Sequence, residues 1–195
     1  MGTLVSSPIL PQAEYKRKTL GTSHYELTSL EAVDTMRSRF GFIPKEQLMP
    51  GTVRFHRVLR ANPERVYRAF LDVEAMVKWL PPNGFTGKVH HLDAKVGGTY
   101  RMSFTNFTSG HSHSFGGSFL ELVPHERIRH TDKFDDPNLP GEMQVTITLK
   151  KVSCGTELSI VQEGIPDVIP PEACSLGWQE SLTLLAKLVE AEIPG

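Results

Sequence analysis

Apolar and polar residues alternate with a period of two through most of residues 86–163, a pattern typical of β-strands with one buried face. Residues 53–59 alternate in the same way. Short connections rich in glycine, proline and serine separate the later runs, so these strands are expected to pair antiparallel. The later strands are predicted at residues 86–92, 98–107, 112–123, 126–134, 142–151 and 155–163.

Three of these strands have a clearly apolar face, which predicts a helix packed across them. Gly116 and Gly117 interrupt the strand at 112–123, and since a bulge there would change which side chains face inward, their orientation stays open. The apolar faces consist of Tyr100, Met102 and Phe104; of Met143, Val145, Ile147 and Leu149; and of Leu158 and Ile160.

The helix that covers these faces is predicted at residues 177–190, where apolar side chains recur at the spacing of an amphipathic helix. Its first residue is expected near Glu172. Each fully buried large apolar side chain contributes roughly 1.5 to 3 kcal/mol, so this helix should be essential to folding. Its stripe consists of Trp178, Leu182, Leu185 and Val189, widened by Leu184 and Leu188.

Two shorter helices are predicted directly after the first strand. Residues 62–72 begin with a capping Asn62 and a proline at the first helical position. Residues 73–85 continue as a short helical turn that ends at Pro81 and Pro82, with Trp79 just before the bend.

Residues 1–50 lack the strand pattern and are expected to be an N-terminal extension, with the main domain at 51–195. The extension would hold a flexible arm and a short helix that begins at a Thr28–Glu31 capping box and packs on the main domain or on a second subunit of a homodimer. Gly2 fits a short myristoylation pattern, but chance matches are common and no polybasic patch accompanies it.

Net charge and cysteine content indicate which binding partners and which cellular compartment are expected. The chain has 195 residues with a formal net charge of −1, which favours neither nucleic acid nor an anionic membrane as a partner. Cys154 and Cys174 are the two cysteines, and a disulfide between them is not expected. A cytoplasmic location is predicted, since no secretory signal pattern or membrane-spanning run is present.

The order of elements resembles the START-like (SRPBCC) helix-grip fold, an α+β fold in which a curved antiparallel sheet of six to seven strands wraps around a long C-terminal helix. Five ordered segments are more specific: they are similar to the C-terminal-domain family of activators of the heat-shock-protein-90 ATPase. These segments are NPERVYRAFLD, KWLPP, GGTYRMSF, GGSFLELVPHERI and GWQESLTLLAKLVE, spread over residues 52–191.

The resemblance implies an apolar cavity between sheet and helix that accepts a hydrophobic or aromatic small molecule, without a cofactor. The alternative is that the same side chains fill a solid core. The eukaryotic activators also carry a large separate N-terminal domain, whereas only about fifty residues precede the domain here, so chaperone stimulation is not expected. The implied lining residues are Trp79, Tyr100, Met102, Phe104, Trp178, Leu182 and Leu185.

The eight histidines raise the question of a metal site. His111 and His113 lie two apart on a predicted strand, so both imidazoles would point to one face. His90, His91 or Asp93 would have to supply a third ligand. Without one, an exposed hairpin tip is the simpler interpretation, and no metal is predicted.

Acid–base chemistry would need a titratable group in a dry cavity. The candidates are His113, Glu121, His130 and Asp132, with His130 and Asp132 on one face of their strand. The alternative places them on the outer, solvated face. No nucleophile elbow, phosphate loop or CxxC pair is present.

Three functions therefore remain: a non-covalent binding module for a hydrophobic or aromatic molecule, a cyclase- or hydratase-type enzyme using cavity His and Asp residues, and a chaperone-associated protein. The first is favoured because no complete catalytic motif accompanies the helix-grip pattern.

Overall fold

Seven antiparallel strands form one sheet in the order β1-β7-β6-β5-β4-β3-β2. Each strand pairs with its neighbour in sequence, except that β1 joins the outer edge of β7. The strands are β1 (Gly51–Leu59), β2 (Phe85–Leu92), β3 (Thr99–Asn106), β4 (Ser112–Val123), β5 (Arg127–Phe134), β6 (Met143–Val152) and β7 (Gly155–Ile165).

The computed structural model describes residues 51–192. The predictions for Gly2, for the arm and for the helix that begins at Thr28 lie outside these residues, and the division of the chain at residue 50 stays a prediction. No helix in the described part is long and apolar enough to cross a membrane.

Two short helices follow β1, and each begins at a side-chain cap. Helix α1 (Pro63–Ala69) is capped by Asn62, whose side-chain oxygen accepts from the Arg65 amide at 2.9 Å. Asp72 caps α2 (Val73–Trp79) in the same way. This second cap explains why the helix predicted at 62–72 ends at Ala69.

The C-terminal helix α3 (Pro171–Val189) begins one residue before the predicted Glu172. Its buried side chains include Leu182, Leu185 and Val189, as the helical spacing predicted. Ser181 ties α3 to the end of α2 because its hydroxyl donates to the Leu80 carbonyl at 2.6 Å. The sheet with its covering C-terminal helix confirms the predicted helix-grip fold.

Gly116 and Gly117 do not form the bulge that the sequence left open. The β3–β4 register runs without a break through both glycines, and the irregularity in β4 lies instead between Phe119 and Glu121, on its β5 side. The glycines are needed because the backbones approach closely. A Cβ on Gly117 would lie 1.9 Å from the Thr131 carbonyl oxygen.

Candidate functional site

A cavity of about 70 Å³ lies in the interior between the sheet, α2 and α3. Most of its wall is apolar, and two titratable side chains of β5, His130 and Asp132, give it one polar region. The lining residues are Phe70, Met76, Leu80, Tyr100, Met102, Phe115, Phe119, Ile128, His130, Asp132, Val145, Ile147 and Trp178.

The register of β5 turns these two polar side chains inward. His130 lies opposite Val145 on β6. Two residues before it, Ile128 lies opposite Ile147. Val145, Ile128 and Ile147 are almost fully buried. Since directly opposed residues of antiparallel strands share a face, His130 belongs to the inner face, and so does Asp132 two residues further on. The alternative that placed both on the outer, solvated face was therefore wrong.

Tyr100 reaches across from β3 to β5 at the polar region of the cavity. Its hydroxyl lies 3.1 Å from the Thr131 carbonyl oxygen and 3.1 Å from His130 Nδ1. His130 Nδ1 is in turn 3.0 Å from the same carbonyl. With a proton on Nδ1, both groups donate to Thr131 O, which has two lone pairs to accept them.

Asp132 is the exception in this network. Its Oδ1 atom is buried and has no hydrogen-bond partner among residues 51–192. The Tyr100 hydroxyl, which lowers the pKa of Asp132, makes its hydrogen bond to the Thr131 carbonyl and makes none to Oδ1. No ion pair involves Asp132 in that part of the chain either. A buried polar atom without a partner is uncommon and calls for an explanation.

Burial shifts the pKa values of both side chains in the direction that favours their neutral forms. Burial raises the pKa of Asp132 from 3.8 to about 7, although the nearby Tyr100 hydroxyl and Lys133 backbone amide limit the rise. Burial also lowers the pKa of His130 from 6.5 to about 4, against the effect of its hydrogen bond to Thr131. Both keep some accessible surface, which borders the cavity.

The helix side of the site is organised by Gln162 of β7, which is buried. Its Oε1 atom accepts from Trp178 Nε1 at 2.6 Å and from the Cys174 thiol at 3.4 Å. These bonds fix the orientation of the Trp178 ring against the cavity. Burial, followed by the charge of Asp132, raises the pKa of the Cys174 thiol to about 11, so it stays protonated.

Of the seven predicted lining residues, Tyr100, Met102 and Trp178 border the cavity. Leu182 and Leu185 are buried in the solid part of the core. Trp79 is fully buried too, with its indole N–H donating to the Ala69 carbonyl at 2.8 Å and its ring against Phe70. The sequence thus predicted the inward face correctly, but part of that face is closely packed.

Phe104 lies in a half-buried aromatic cluster around His113 rather than on the cavity wall. The His113 ring has four phenylalanine rings within 6.2 Å, at Phe85, Phe104, Phe115 and Phe134. Burial, with the charge of His111, lowers the pKa of His113. Phe115 also lines the cavity, so the cluster adjoins it.

The other candidate residues are spread over the surface. His111 and His91 are exposed, and His90 bonds to the Ser103 hydroxyl at 2.8 Å. Asp93 pairs with Lys95. Within residues 51–192, no group of three or more His, Cys, Asp or Glu side chains is placed to hold a metal ion.

Glu121 lies outside the cavity lining, because the irregularity after Phe119 shifts the register of β4. Its carboxylate pairs at 3.6 Å with Arg127 and at 3.9 Å with Arg129. These contacts are partly exposed and favour a structural role for Glu121.

Sequence reasoning missed several lining residues, among them Phe115, Phe119 and Ile128. Phe119 and Ile128 are almost fully buried, and alternation around the two glycines of β4 was the available signal. Gly117 was missed in a supporting role: without a side chain it lets β4 approach the Thr131 carbonyl that Tyr100 and His130 share.

Comparison with known proteins shows similarity to solved structures. Protein CV1439 from Chromobacterium violaceum is 66% identical, with a TM-score of 0.73 over 74% of this chain and 100% of that one. A Rhodobacter sphaeroides protein, 23% identical, has a TM-score of 0.62 over 70% of this chain and 90% of its own. The AHSA1-like protein from Aeromonas hydrophila, 17% identical, has a TM-score of 0.60 over 72% and 92%.

Among curated proteins, none matches the chain. The family model described as "Activator of Hsp90 ATPase homolog 1-like protein" matches residues 60–190, which include the cavity and all of its lining residues. On the strength of this match, the chain belongs to the family of Activator of Hsp90 ATPase homolog 1-like proteins.

Proposed function

We propose that the protein binds a small hydrophobic or aromatic molecule, without covalent chemistry, in the cavity between the sheet and α3. The observation that carries this proposal is an apolar cavity with one polar region, where an unpartnered carboxylate oxygen is enclosed. Few convergent polar groups in an apolar wall are the usual composition of a small-molecule site.

The volume of the cavity limits how a ligand enters. Established ligand pockets measure roughly 300 to 1,000 Å³, and an engineered cavity of roughly 150 Å³ accepts benzene. At about 70 Å³ this cavity must therefore widen, even for a single ring. Met76 and Met102 line it, and their unbranched side chains can change rotamer at low cost.

Trp178 and Phe115 are the two largest side chains of the wall that keep part of their surface accessible. The Trp178 ring is held by its hydrogen bond to Gln162, whereas the Phe115 ring makes no hydrogen bond and can turn to widen the cavity. Binding accordingly requires rearrangement of side chains.

A matched pair of substitutions tests the proposal. Val145→Leu adds bulk at the cavity wall, whereas Val189→Leu makes the same change at a buried site that does not border the cavity. Ligands are found by thermal shift across single-ring aromatics, fatty acids, flavonoids and polyketides. A ligand at a hundredfold its Kd should stabilise the protein by about 2.7 kcal/mol.

We expect Val145→Leu to reduce the ligand-induced shift and Val189→Leu to keep it, each measured against its own ligand-free protein. Equal responses of the two variants would place the ligand elsewhere. If no compound of the panel stabilises the wild-type protein, the proposal fails.

A second candidate function, proton transfer by an enzyme of the cyclase or hydratase kind, is favoured by one observation. His130 and Asp132 both border the cavity, and a pKa of about 7 suits Asp132 to exchange protons near neutral pH. Recovery of a bound compound by mass spectrometry separates the two functions. A chemically changed compound, with no change in the Asp132→Asn variant, would favour the enzyme over the binding module.

A further inference from the structure

The polar region of the cavity contains hydrogen-bond donors, but each is already committed to another protein group. The Tyr100 hydroxyl and His130 Nδ1 are both bonded to the Thr131 carbonyl. The Trp178 indole N–H donates to Gln162. None of the three is free to serve a ligand without breaking an existing bond.

Acceptors, in contrast, are left over. Asp132 Oδ1 has no partner in the described part of the chain. A proton on His130 Nδ1 leaves a lone pair on Nε2, and no hydrogen bond to Nε2 is present among residues 51–192. Both side chains border the cavity, so its polar region offers acceptors alone when Asp132 is ionised.

We infer that the ligand carries a hydrogen-bond donor, a hydroxyl or an ammonium group, which bonds to Asp132 Oδ1 while its apolar body fills the cavity. This inference rests on the proposed function and adds the chemical class of the ligand to it. An apolar molecule of the same shape would leave the buried carboxylate without a partner, at a cost that the donor avoids.

The charge state of Asp132 supports the same conclusion. The titratable groups around it are Tyr100 on β3, His130 on β5 and Cys174 on α3. Tyr100 and Cys174 have raised pKa values and His130 has a pKa of about 4, so between pH 6 and pH 8 Asp132 is the member of this group that changes charge. At pH 8 most of the carboxylate has lost its proton and can only accept.

Two isosteric pairs of probes test the inference by calorimetry at pH 8: phenol against toluene, and benzylamine against ethylbenzene. A hydrogen bond to a charged group corresponds to a preference on the order of 10- to 100-fold. We expect the donor to bind more tightly by this factor in at least one pair. The pair that shows it distinguishes a hydroxyl from an ammonium ligand.

Variants locate the preference. Asp132→Leu should remove it while toluene still binds, and Asp132→Asn should remove the preference for benzylamine because the charge is gone. Glu163→Gln, which removes an exposed carboxylate on β7, should keep both. Benzylamine should bind roughly tenfold more tightly at pH 8 than at pH 6, whereas toluene should bind equally at both.

Toluene and ethylbenzene binding as tightly as phenol and benzylamine to the wild-type protein would overturn the inference and leave the proposed function standing. An unchanged preference in both Asp132 variants would also overturn it. Binding of none of the four probes would overturn the inference, and the proposed function would then be decided by the wider thermal-shift panel.

Discussion

Replacing Asp132 by asparagine should increase the free energy of unfolding at pH 8 and leave it almost unchanged at pH 4. The side chain lines the cavity, and its buried Oδ1 atom lacks a partner in the described residues. An ionised carboxylate in that position is poorly solvated, whereas a neutral amide of the same shape is not penalised to the same extent.

The magnitude follows from the pKa of Asp132, which is raised from 3.8 to about 7 in the folded protein. Between pH 3.8 and pH 7, Asp132 loses its proton in the unfolded chain and keeps it in the folded protein. Ionisation therefore favours the unfolded state, and the contribution of Asp132 to stability falls as the pH rises from about 4 to 7. At 1.36 kcal/mol for each pKa unit, the loss reaches about 4 kcal/mol at most.

His130 opposes this slope. Its pKa is lowered to about 4, so the unfolded chain takes up a proton below pH 6.5 while the folded protein does not. Its contribution to stability falls as the pH drops from 6.5 toward 4, by about 3 kcal/mol. In the wild-type protein the opposite pH dependences of Asp132 and His130 nearly cancel between pH 4 and 6.5. In Asp132→Asn only the pH dependence from His130 remains.

The assay is urea denaturation at pH 4, 5, 6, 7 and 8, followed by tryptophan fluorescence and compared with Glu163→Gln as the control for loss of one carboxylate. We expect the advantage of Asp132→Asn to grow from pH 4 to pH 7 and then level off. If the free energy of unfolding of Asp132→Asn differed from that of the wild type by the same amount at every pH, the raised pKa of Asp132 would be refuted. A variant less stable than wild type at pH 8 would show that the carboxylate is stabilised by a donor.

Two further substitutions test the surroundings of the cavity. Trp79→Phe removes the donor to the Ala69 carbonyl and should lower the free energy of unfolding by roughly 1 to 3 kcal/mol. The ligand-induced thermal shift should persist in this variant. Loss of binding without loss of stability would instead give Trp79 a direct role. Gly117→Ala should destabilise the protein, because the added Cβ meets the Thr131 carbonyl. It should also change the near-ultraviolet circular dichroism to which Tyr100 contributes. An unchanged melting temperature would contradict this close approach.

Most of the fold could be predicted because it depends on periodicity that a single sequence displays. Period-two alternation located the strands, and the spacing of Leu182, Leu185 and Val189 located the buried face of α3. The break after Ala69 depends on Asp72, whose capping role competes with continuation of the helix.

The site was harder to predict because alternation shows which side chains point inward but not where packing is incomplete. Tyr100 and Leu185 both occupy inward positions, yet only Tyr100 borders the cavity. The unpartnered state of Asp132 Oδ1 depends on which groups of the neighbouring strands come within hydrogen-bond distance, and alternation does not show this. The role of Gly117 depends on the approach of two backbones, which no local pattern encodes.

The two tryptophans offer the most direct test of binding in the cavity. Trp178 borders it and Trp79 does not, so their indole N–H signals in a nitrogen-15 correlation spectrum report on different places. Trp178→Phe assigns the two signals. During titration with phenol, we predict a saturable shift of the Trp178 signal and a much smaller one for Trp79. Saturating binding that leaves the Trp178 signal in place would contradict a ligand site between the sheet and α3.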